Sequence, residues 1–169
     1  MGRGKGMRFI LFDRIVELKK GGEAVFIKNI SQSEDFFIDH FPGYPVVPGS
    51  IILGSFEQGG EILLASSHDF SVRPLLRGVS KASFRRFVLP GDQLKICVTL
   101  DPAFPTQVKA SAYVQGRLVG DARLDFSLEK PDGKLELLQA CERLKLFYEL
   151  LTSSRAAKVW DLWERQSQD

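Results

Sequence analysis

His40 is the residue of this chain whose type and setting best suit acid–base chemistry. It is one of two histidines in the 169-residue sequence, and imidazole is the side chain that changes charge near neutral pH. It lies between Asp39 and Phe41 among apolar neighbours, a setting that suits a general base. The alternative is a histidine that only satisfies its own hydrogen bonds, and this residue alone does not decide between the two.

A stiff loop carries His40 towards a predicted helix. Residues 42–49 contain three prolines and two glycines, which excludes a helix or a central strand there. Pro48-Gly49 then opens a helix predicted over residues 50–67, at whose N-terminus backbone N–H groups lack partners. Because Gly49 has no side chain, a carbonyl could approach its N–H, and such a donor stabilises an enolate-like oxyanion. An ordinary loop-to-helix turn is the alternative.

The surrounding pattern predicts an α+β layer arrangement that positions this loop and helix. Apolar, β-branched runs at 9–18 and 24–30 indicate a hairpin, and strands are predicted at 78–87, 94–100, 108–115 and 118–128. The long helix contains Gly54, Gly59 and Gly60, which suggests very close packing against it. One helix cannot cover both faces of an antiparallel sheet, so we expect dimerisation.

Composition excludes several classes of protein. The formal net charge is only +2, so no strong field points to nucleic acid, and no apolar run approaches the length of a membrane span. There is no signal peptide pattern, and residues 1–7 are predicted to be a flexible terminus or a cloning remnant. Cys97 and Cys141 lack metal-ligand spacing and are predicted to be reduced core residues in the cytoplasm. With His40 and His68 the only histidines, no histidine-rich metal site is expected.

The loop sequence closely resembles a known signature. The run His40-Phe41-Pro42-Gly43-Tyr44-Pro45-Val46-Val47-Pro48-Gly49 is similar to that of the 3-hydroxyacyl-acyl carrier protein dehydratases. Other landmarks follow in order: Phe12-Asp13-Arg14, Asn29-Ile30-Ser31, Phe36-Phe37, Phe84-Arg85-Arg86 and Pro90-Gly91-Asp92-Gln93. The resemblance spans about residues 8–128, most of the chain.

The resemblance implies a hotdog fold, in which a curved antiparallel sheet wraps round one long helix. It implies a dimer, often a trimer of dimers, with active sites at the interface, and it needs no metal or redox cofactor. His40 would take the α-proton and help to expel the 3-hydroxyl as water, while the Gly49 N–H polarises the thioester. The substrate would be a 3-hydroxyacyl chain on the phosphopantetheine of an acyl carrier protein, lying in an apolar tunnel. We expect the substrate to contact Phe41, Val47, Pro48, Gly54, Phe56 and Phe84.

One departure affects the predicted chemistry. The family places a Glu or Asp on the helix fourteen residues after the histidine, as the acid that protonates the leaving hydroxyl, and this chain has Gly54 there. Losing a general acid typically costs about 10²–10⁴ in rate. Glu57 lies one turn further along and Glu61 another turn on, and Gly54 leaves space for Glu57 to reach back or for a water. The alternative is that both glutamates serve packing or solvation.

Three hypotheses follow from this altered site. The first is a dehydratase that uses His40, Gly49 and either Glu57 or a bound water, and retention of the loop favours it. The second is a hotdog thioesterase in which a helix carboxylate positions water. The third is a non-catalytic acyl-binding subunit that pairs with an active paralogue.

The sequence also suggests a surface for the carrier protein and a C-terminal helical extension. A basic stretch includes Arg85 and Arg86, which could contact an acidic carrier protein; a solvated strand face is the alternative. The hotdog domain is predicted over residues 8–130 and a helical extension over 131–169. Apolar stripes in that extension must pack on something, either the sheet's outer face, a wider oligomer or the tunnel mouth.

Overall fold

A computed structural model describes residues 10–152 and begins with a hairpin. Strand β1 (Arg14–Lys19) pairs antiparallel with β2 (Glu23–Asn29). The predicted first strand started five residues earlier. It begins only at Arg14 because the preceding segment is attached to the helix instead: the Leu11 N–H donates to Gln58 Oε1 at 3.1 Å. The predicted hairpin is confirmed, with a later start.

One antiparallel sheet wraps round a single long helix. A 3₁₀ turn (Asp35–Phe37) and the proline-rich loop lead from β2 into helix α1 (Gly49–Ser67). The remaining strands are β3 (Arg73–Phe84), β4 (Gln93–Asp101), β5 (Phe104–Val114) and β6 (Arg117–Glu129). Their order in the six-stranded sheet is β1-β2-β4-β5-β6-β3, and each neighbouring pair is antiparallel. The expected hotdog arrangement is confirmed.

Two glycines of α1 bring the sheet against the helix backbone. A Cβ at Gly59 would lie 3.0 Å from Val98 and 3.2 Å from the Phe26 ring, and a Cβ at Gly60 would lie 2.9 Å from the Phe126 ring. These contacts explain why residues of poor helix propensity stand in the middle of the helix. The close packing predicted from the glycines is therefore confirmed at these two positions.

Strand β3 begins before the position that the sequence indicates. It starts at Arg73 rather than residue 78 and ends at Phe84 rather than residue 87. Pro74 is the second residue of β3, which is an edge strand that pairs only with β6. A proline is tolerated on an edge because its missing N–H is not needed by a second neighbour.

A second helix closes the open side of the sheet. Helix α2 (Leu135–Thr152) contacts α1 and both edge strands, β1 and β3. Its inner stripe is buried and consists of Cys141, Leu144, Phe147 and Leu151. This part of the extension thus packs on the outer side of α1, not on the outer face of the sheet. The second stripe expected from Val159, Leu162 and Trp163 lies outside the described residues.

No helix within residues 10–152 has both the length and the apolar composition needed to cross a membrane.

Candidate active site

Backbone hydrogen bonds close the loop that carries His40. The His40 N–H donates to the Phe36 carbonyl at 3.1 Å, and the Val46 N–H donates to the His40 carbonyl at 3.1 Å. Between them, Phe41 and Tyr44 exchange two backbone hydrogen bonds of 3.1 and 2.9 Å. The His40–Phe41 peptide bond is cis. A prolyl-rich loop with these bonds loses little entropy when it fixes a side chain.

One contact sets the tautomer of the half-buried His40 ring. Its Nδ1 lies 3.0 Å from the Val46 carbonyl oxygen. A carbonyl can only accept a hydrogen bond, so in the neutral ring Nδ1 carries the hydrogen and Nε2 keeps its lone pair. The ring also stacks on Phe41, with centroids 4.1 Å apart. The arrangement makes Nε2 the atom able to accept a proton.

Gly49 is the first residue of α1 and lies beneath an aromatic ring. Pro48, at the N-cap, offers no side-chain hydrogen bond, and within residues 10–152 the Gly49 N–H has no hydrogen-bond acceptor. A Cβ at Gly49 would lie 3.1 Å from the Phe84 ring. Glycine is therefore what lets Phe84 cover the helix N-terminus, where an N–H group remains available to a ligand.

A hydrocarbon side chain takes the space beside Gly54. A Cβ at this position would lie 3.1 Å from Leu11 Cδ1. The sequence suggested room there for Glu57 to reach back or for a water. The structure instead places the tip of Leu11 against the helix, because the 10–12 segment is tied to Gln58.

The two helix glutamates have different surroundings. Glu61 is buried and its carboxylate lies 3.2 Å from the Arg73 guanidinium. Burial raises the pKa of Glu61 to about 7; Arg73 opposes this rise and the charge of Glu57 adds to it. Glu57 is half-buried and makes no ion pair within the described part of the chain. Glu57 is therefore the helix carboxylate left available, whereas Glu61 serves the packing of α1 against β3.

The residues expected to contact substrate are not all together. Phe41 is exposed, Pro48 is half-buried, and Phe84 is 44% exposed above Gly49. Val47 is buried, and its N–H donates to the Val88 carbonyl at 2.9 Å. Phe56 has no exposed surface and belongs to the core between helix and sheet. It therefore supports the fold and does not line the cavity at the N-terminal end of α1.

A cavity of about 420 Å³ lies at the N-terminal end of α1. Of its lining residues, sequence reasoning named only Val47 as a substrate contact. The others include apolar side chains from five separate segments: Leu11, Ile30, Phe36, Ile51 and Leu94. The periodicity of the strands and helix marked these as apolar, but only the folded chain brings them round one space.

Most of the basic residues predicted to contact a carrier protein form ion pairs with other residues of this chain. Arg85 pairs with Asp121, Arg77 lies 3.8 Å from Glu129, and Arg73 is held by Glu61. Lys81 and Arg86 are exposed and form no ion pair with residues 10–152. Of the two arginines singled out from the sequence, Arg86 is the one left free for a partner.

Exposed apolar side chains surround the His40 loop. Ile38 and Phe87 are each at least 70% exposed, and Phe41 and Tyr44 are more than half exposed. Tyr44 and Phe87 meet edge to face, with centroids 6.4 Å apart. Clustered exposed hydrophobic groups of this kind mark interaction surfaces.

The described residues contain no group of three side chains suited to a metal ion. Cys97 and Cys141 are both free, and burial raises the pKa of each thiol. A raised pKa favours the unreactive thiol form.

Comparisons with known proteins place these features in a family. A family model described as a FabA-like domain matches residues 4–124. The chain is 41% identical over 123 residues to the 3-hydroxyacyl-[acyl-carrier-protein] dehydratase FabZ of Pelotomaculum thermopropionicum, covering 71% of this chain and 88% of that protein. The FabZ of Desulforamulus reducens is 42% identical over 123 residues, covering 71% and 87%.

Solved structures of low sequence identity share the fold. The dehydratase heterocomplex ApeI:P from Xenorhabdus doucetiae matches with a TM-score of 0.56 at 17% identity, covering 66% of this chain and 95% of that one. The smu.793 protein of Streptococcus mutans UA159, bound to acetyl CoA, matches with a TM-score of 0.59 at 15% identity, covering 75% and 95%. The FabA-like match and the two FabZ relatives together establish that this chain belongs to the family of 3-hydroxyacyl-[acyl-carrier-protein] dehydratases.

Proposed function

We propose that this protein removes water from 3-hydroxyacyl thioesters on acyl carrier protein, yielding trans-2-enoyl thioesters in fatty-acid synthesis or a related lipid or polyketide route. The observation that carries the proposal is the Nδ1 contact between His40 and the Val46 carbonyl, which leaves Nε2 as a base. The chemistry uses acid–base and hydrogen-bonding groups alone and calls for no metal or redox cofactor. We place it in the cytoplasm, where acyl carrier proteins are expected to be found.

In the proposed reaction, His40 Nε2 takes the proton from the carbon next to the thioester carbonyl. The electron pair of that C–H bond forms an enolate, whose oxygen accepts a hydrogen bond from the Gly49 N–H. A donor aimed at such an oxyanion is worth roughly 10²–10³ in rate. The enolate then expels the 3-hydroxyl, which leaves as water after receiving a proton, and the carbon–carbon double bond forms.

We assign Glu57 as the group that supplies or relays the proton to the leaving hydroxyl. The assignment rests on elimination along the helix: Gly54 has no carboxyl group, and Glu61 is bound to Arg73. Glu57 is half-buried and forms no ion pair within the described residues. In a dimer the carboxyl would reach the site of the partner chain, as the family arrangement implies.

The exposed apolar groups round the His40 loop support a homodimer, and a trimer of dimers is a further expectation. Burying such a patch in a second copy would remove apolar area from water at about 25 cal/mol per Å². Dimerisation would also cover the His40 site and exclude water, which strengthens electrostatic interactions there.

Carrier docking would use the free cations near the end of β3. Lys81 and Arg86 are exposed and form no ion pair within residues 10–152, so they could meet an acidic surface without breaking an internal pair. Phe84 lies on the same stretch and exposes apolar surface beside them. Charges at the rim of an interface act mainly on the association rate.

A mixed dimer is the second candidate, and the contact between Leu11 and Gly54 favours it. A site that fills the acid position with hydrocarbon could depend on a related subunit for its carboxyl group. This chain would then contribute His40 and the Gly49 N–H to the shared site.

The test is to incubate the purified protein with 3-hydroxyacyl-carrier protein and follow the acyl mass. We expect loss of one water in the wild type, none in His40→Ala, and normal turnover in His68→Ala. His68 is the matched control, since its Nδ1 contacts the Leu64 carbonyl at 2.9 Å in a helix-end position. Glu57→Gln should lower the rate by about 10²–10⁴, while Glu61→Gln should keep it.

Other outcomes would redirect the assignment. Release of the free acid would show that the protein hydrolyses the thioester, and the proposed dehydration would be wrong. If the acyl carrier protein binds but no turnover occurs until a second dehydratase subunit is added, the mixed dimer stands and the homodimeric enzyme is wrong.

A further inference from the structure

Helix α2 carries apolar side chains on two opposite faces. Its inner stripe packs against α1 and the edge strands. The opposite face carries four leucines that are between 41% and 66% exposed: Leu135, Leu138, Leu146 and Leu150. With about 3.6 residues to a turn, these positions fall along one line of the helix surface, which we call the outer stripe. A contiguous exposed apolar patch of this kind marks an interaction surface.

The charged residues at the middle of α2 have both signs. Glu142 lies on the outer stripe between its two pairs of leucines, and Arg143 and Lys145 flank it. None of the three forms an ion pair with another of residues 10–152. An acidic carrier protein or an anionic membrane surface would call for an excess of positive charge. The mixture of signs instead favours a partner surface that is itself mixed in charge.

The spacing along the outer stripe is symmetric about its middle, which lies between Glu142 and Arg143. The leucine pair at one end and the leucine pair at the other lie at equal distances from this midpoint, to within one residue. Contacts across a two-fold axis join residue i to j and j to i, so an interface between two copies needs a surface that is complementary to itself. The outer stripe meets this requirement when the two helices run antiparallel.

Antiparallel pairing about this midpoint also matches the charges. The two leucines at the N-terminal end of one outer stripe face the two at the C-terminal end of the other. Glu142 of one copy then lies about 3 Å along the helix axis from Lys145 of the other, because each residue advances a helix by about 1.5 Å. Both residues lie on the same side of the contact, so opposite charges meet twice across the axis.

The outer stripe lies away from the His40 loop. Helix α2 follows the end of β6, which pairs with the start of β3, whereas Phe84 at the other end of β3 covers Gly49. Near its own C-terminus, α2 places Tyr148 against Phe70, just beyond the C-terminal end of α1, with ring centroids 5.3 Å apart. One chain could therefore use the outer stripe and the apolar groups round the His40 loop at the same time.

We propose that the outer stripe is an interface between two copies of this chain, which pair α2 against α2 antiparallel across a two-fold axis. Helix α2 lies beyond residues 4–124 that the FabA-like model matches, so this interface is additional to any that the family shares. Four leucines are few for an interface of standard size, which buries about 800 Å² per partner, and the contact is weak alone. A dimer formed at the His40 loop carries two outer stripes, and two simultaneous contacts strengthen the assembly.

The test measures the mass of the full chain by sedimentation velocity over a range of protein concentrations. Leu146→Glu places a carboxylate against leucines of the second copy, and it does so twice per axis. Burying these charges without partners should weaken the pairing at least about tenfold, and the mass at a given concentration should fall to half that of the wild type. Phe104→Glu is the matched control, because Phe104 is similarly exposed but lies at the start of β5, and it should keep the wild-type mass.

Charge reversal tests the register and does not depend on how Leu146→Glu folds. Glu142→Lys alone and Lys145→Glu alone each set like charges against each other across the axis. Each should raise the dissociation constant roughly three- to tenfold. The double variant restores opposite charges in exchanged positions, so its dissociation constant should return to the wild-type value. Failure to recover would overturn the antiparallel pairing.

Equal masses of wild type and Leu146→Glu at every concentration, or the same loss of mass in Phe104→Glu, would overturn the interface. Both tryptophans of the chain lie in residues 153–169, so their fluorescence reports on another occupant. If Leu146→Glu shifts it to longer wavelength and leaves the mass unchanged, that segment covers the outer stripe and the proposal is wrong. If the wild type is a dimer and Leu146→Glu a monomer, the outer stripe stands and the proposed dimer at the His40 loop is wrong.

Discussion

Exchanging single glycines of α1 for alanine tests how closely the sheet packs on the helix. In Gly60→Ala the new methyl would lie 2.9 Å from Phe126 Cζ and 3.0 Å from its Cε2. The Phe126 ring is buried between helix and sheet, so it cannot turn away without moving its neighbours. Overpacking of this kind costs about 1–3 kcal/mol, which exceeds the gain of about 1 kcal/mol from helix propensity.

Gly54→Ala is the matched control in the same helix. Its methyl would also meet an atom at 3.1 Å, but that atom is Cδ1 of Leu11, the end of a flexible side chain. The propensity gain of about 1 kcal/mol should then dominate. The two variants should differ by about 2 kcal/mol in the free energy of unfolding, with Gly60→Ala the less stable.

Urea unfolding at one fixed protein concentration measures the difference, since an oligomer's stability depends on concentration. The slope of the free energy against urea should be the same in both variants, which shows that the unfolded states are comparable. If Gly60→Ala proves as stable as Gly54→Ala, the sheet does not lie against the helix as closely as these distances require, and the explanation of the mid-helix glycines fails.

Three further predictions concern stability. Folding raises the pKa of Glu61 from 4.5 to about 7, so the folded chain binds this proton more tightly than the unfolded chain does. The free energy of unfolding should therefore fall by about 3 kcal/mol as the pH rises from about 4.5 to about 7. The difference between wild type and Glu61→Gln in urea titrations at several pH values isolates the effect. Asp13→Ala should cost about 1–3 kcal/mol in the same assay, since Asp13 Oδ2 accepts from both the backbone and side-chain N–H groups of Asn29 at 2.6 and 2.9 Å. An unchanged unfolding midpoint would refute it. Leu144→Ala on the buried stripe of α2 should cost about 2–5 kcal/mol, whereas exposed Leu146→Ala should cost little, and equal effects would show that α2 does not pack by its inner stripe.

The His40 loop and the long helix could be predicted from local sequence because prolines and glycines restrict the backbone directly. Residues 42–49 cannot form regular structure, and the helix that follows was placed within one residue of its observed start at Gly49. The start of β3 was harder to predict from local sequence. Proline disfavours a central strand, and only the sheet order shows that β3, which contains Pro74, is an edge strand.

The sequence by itself determined the family resemblance, the candidate base and the missing helix acid, since these depend on residue types at fixed spacing along one segment. Only the tertiary structure decided the tautomer of His40, which depends on the Val46 carbonyl, and the occupant of the space at Gly54, which is Leu11 from a segment 43 residues earlier in the chain. It also separated Glu61 from Glu57, because Arg73 is brought to one and not the other. Contacts between distant segments depend on how the whole sheet curves round the helix, and no local pattern encodes that.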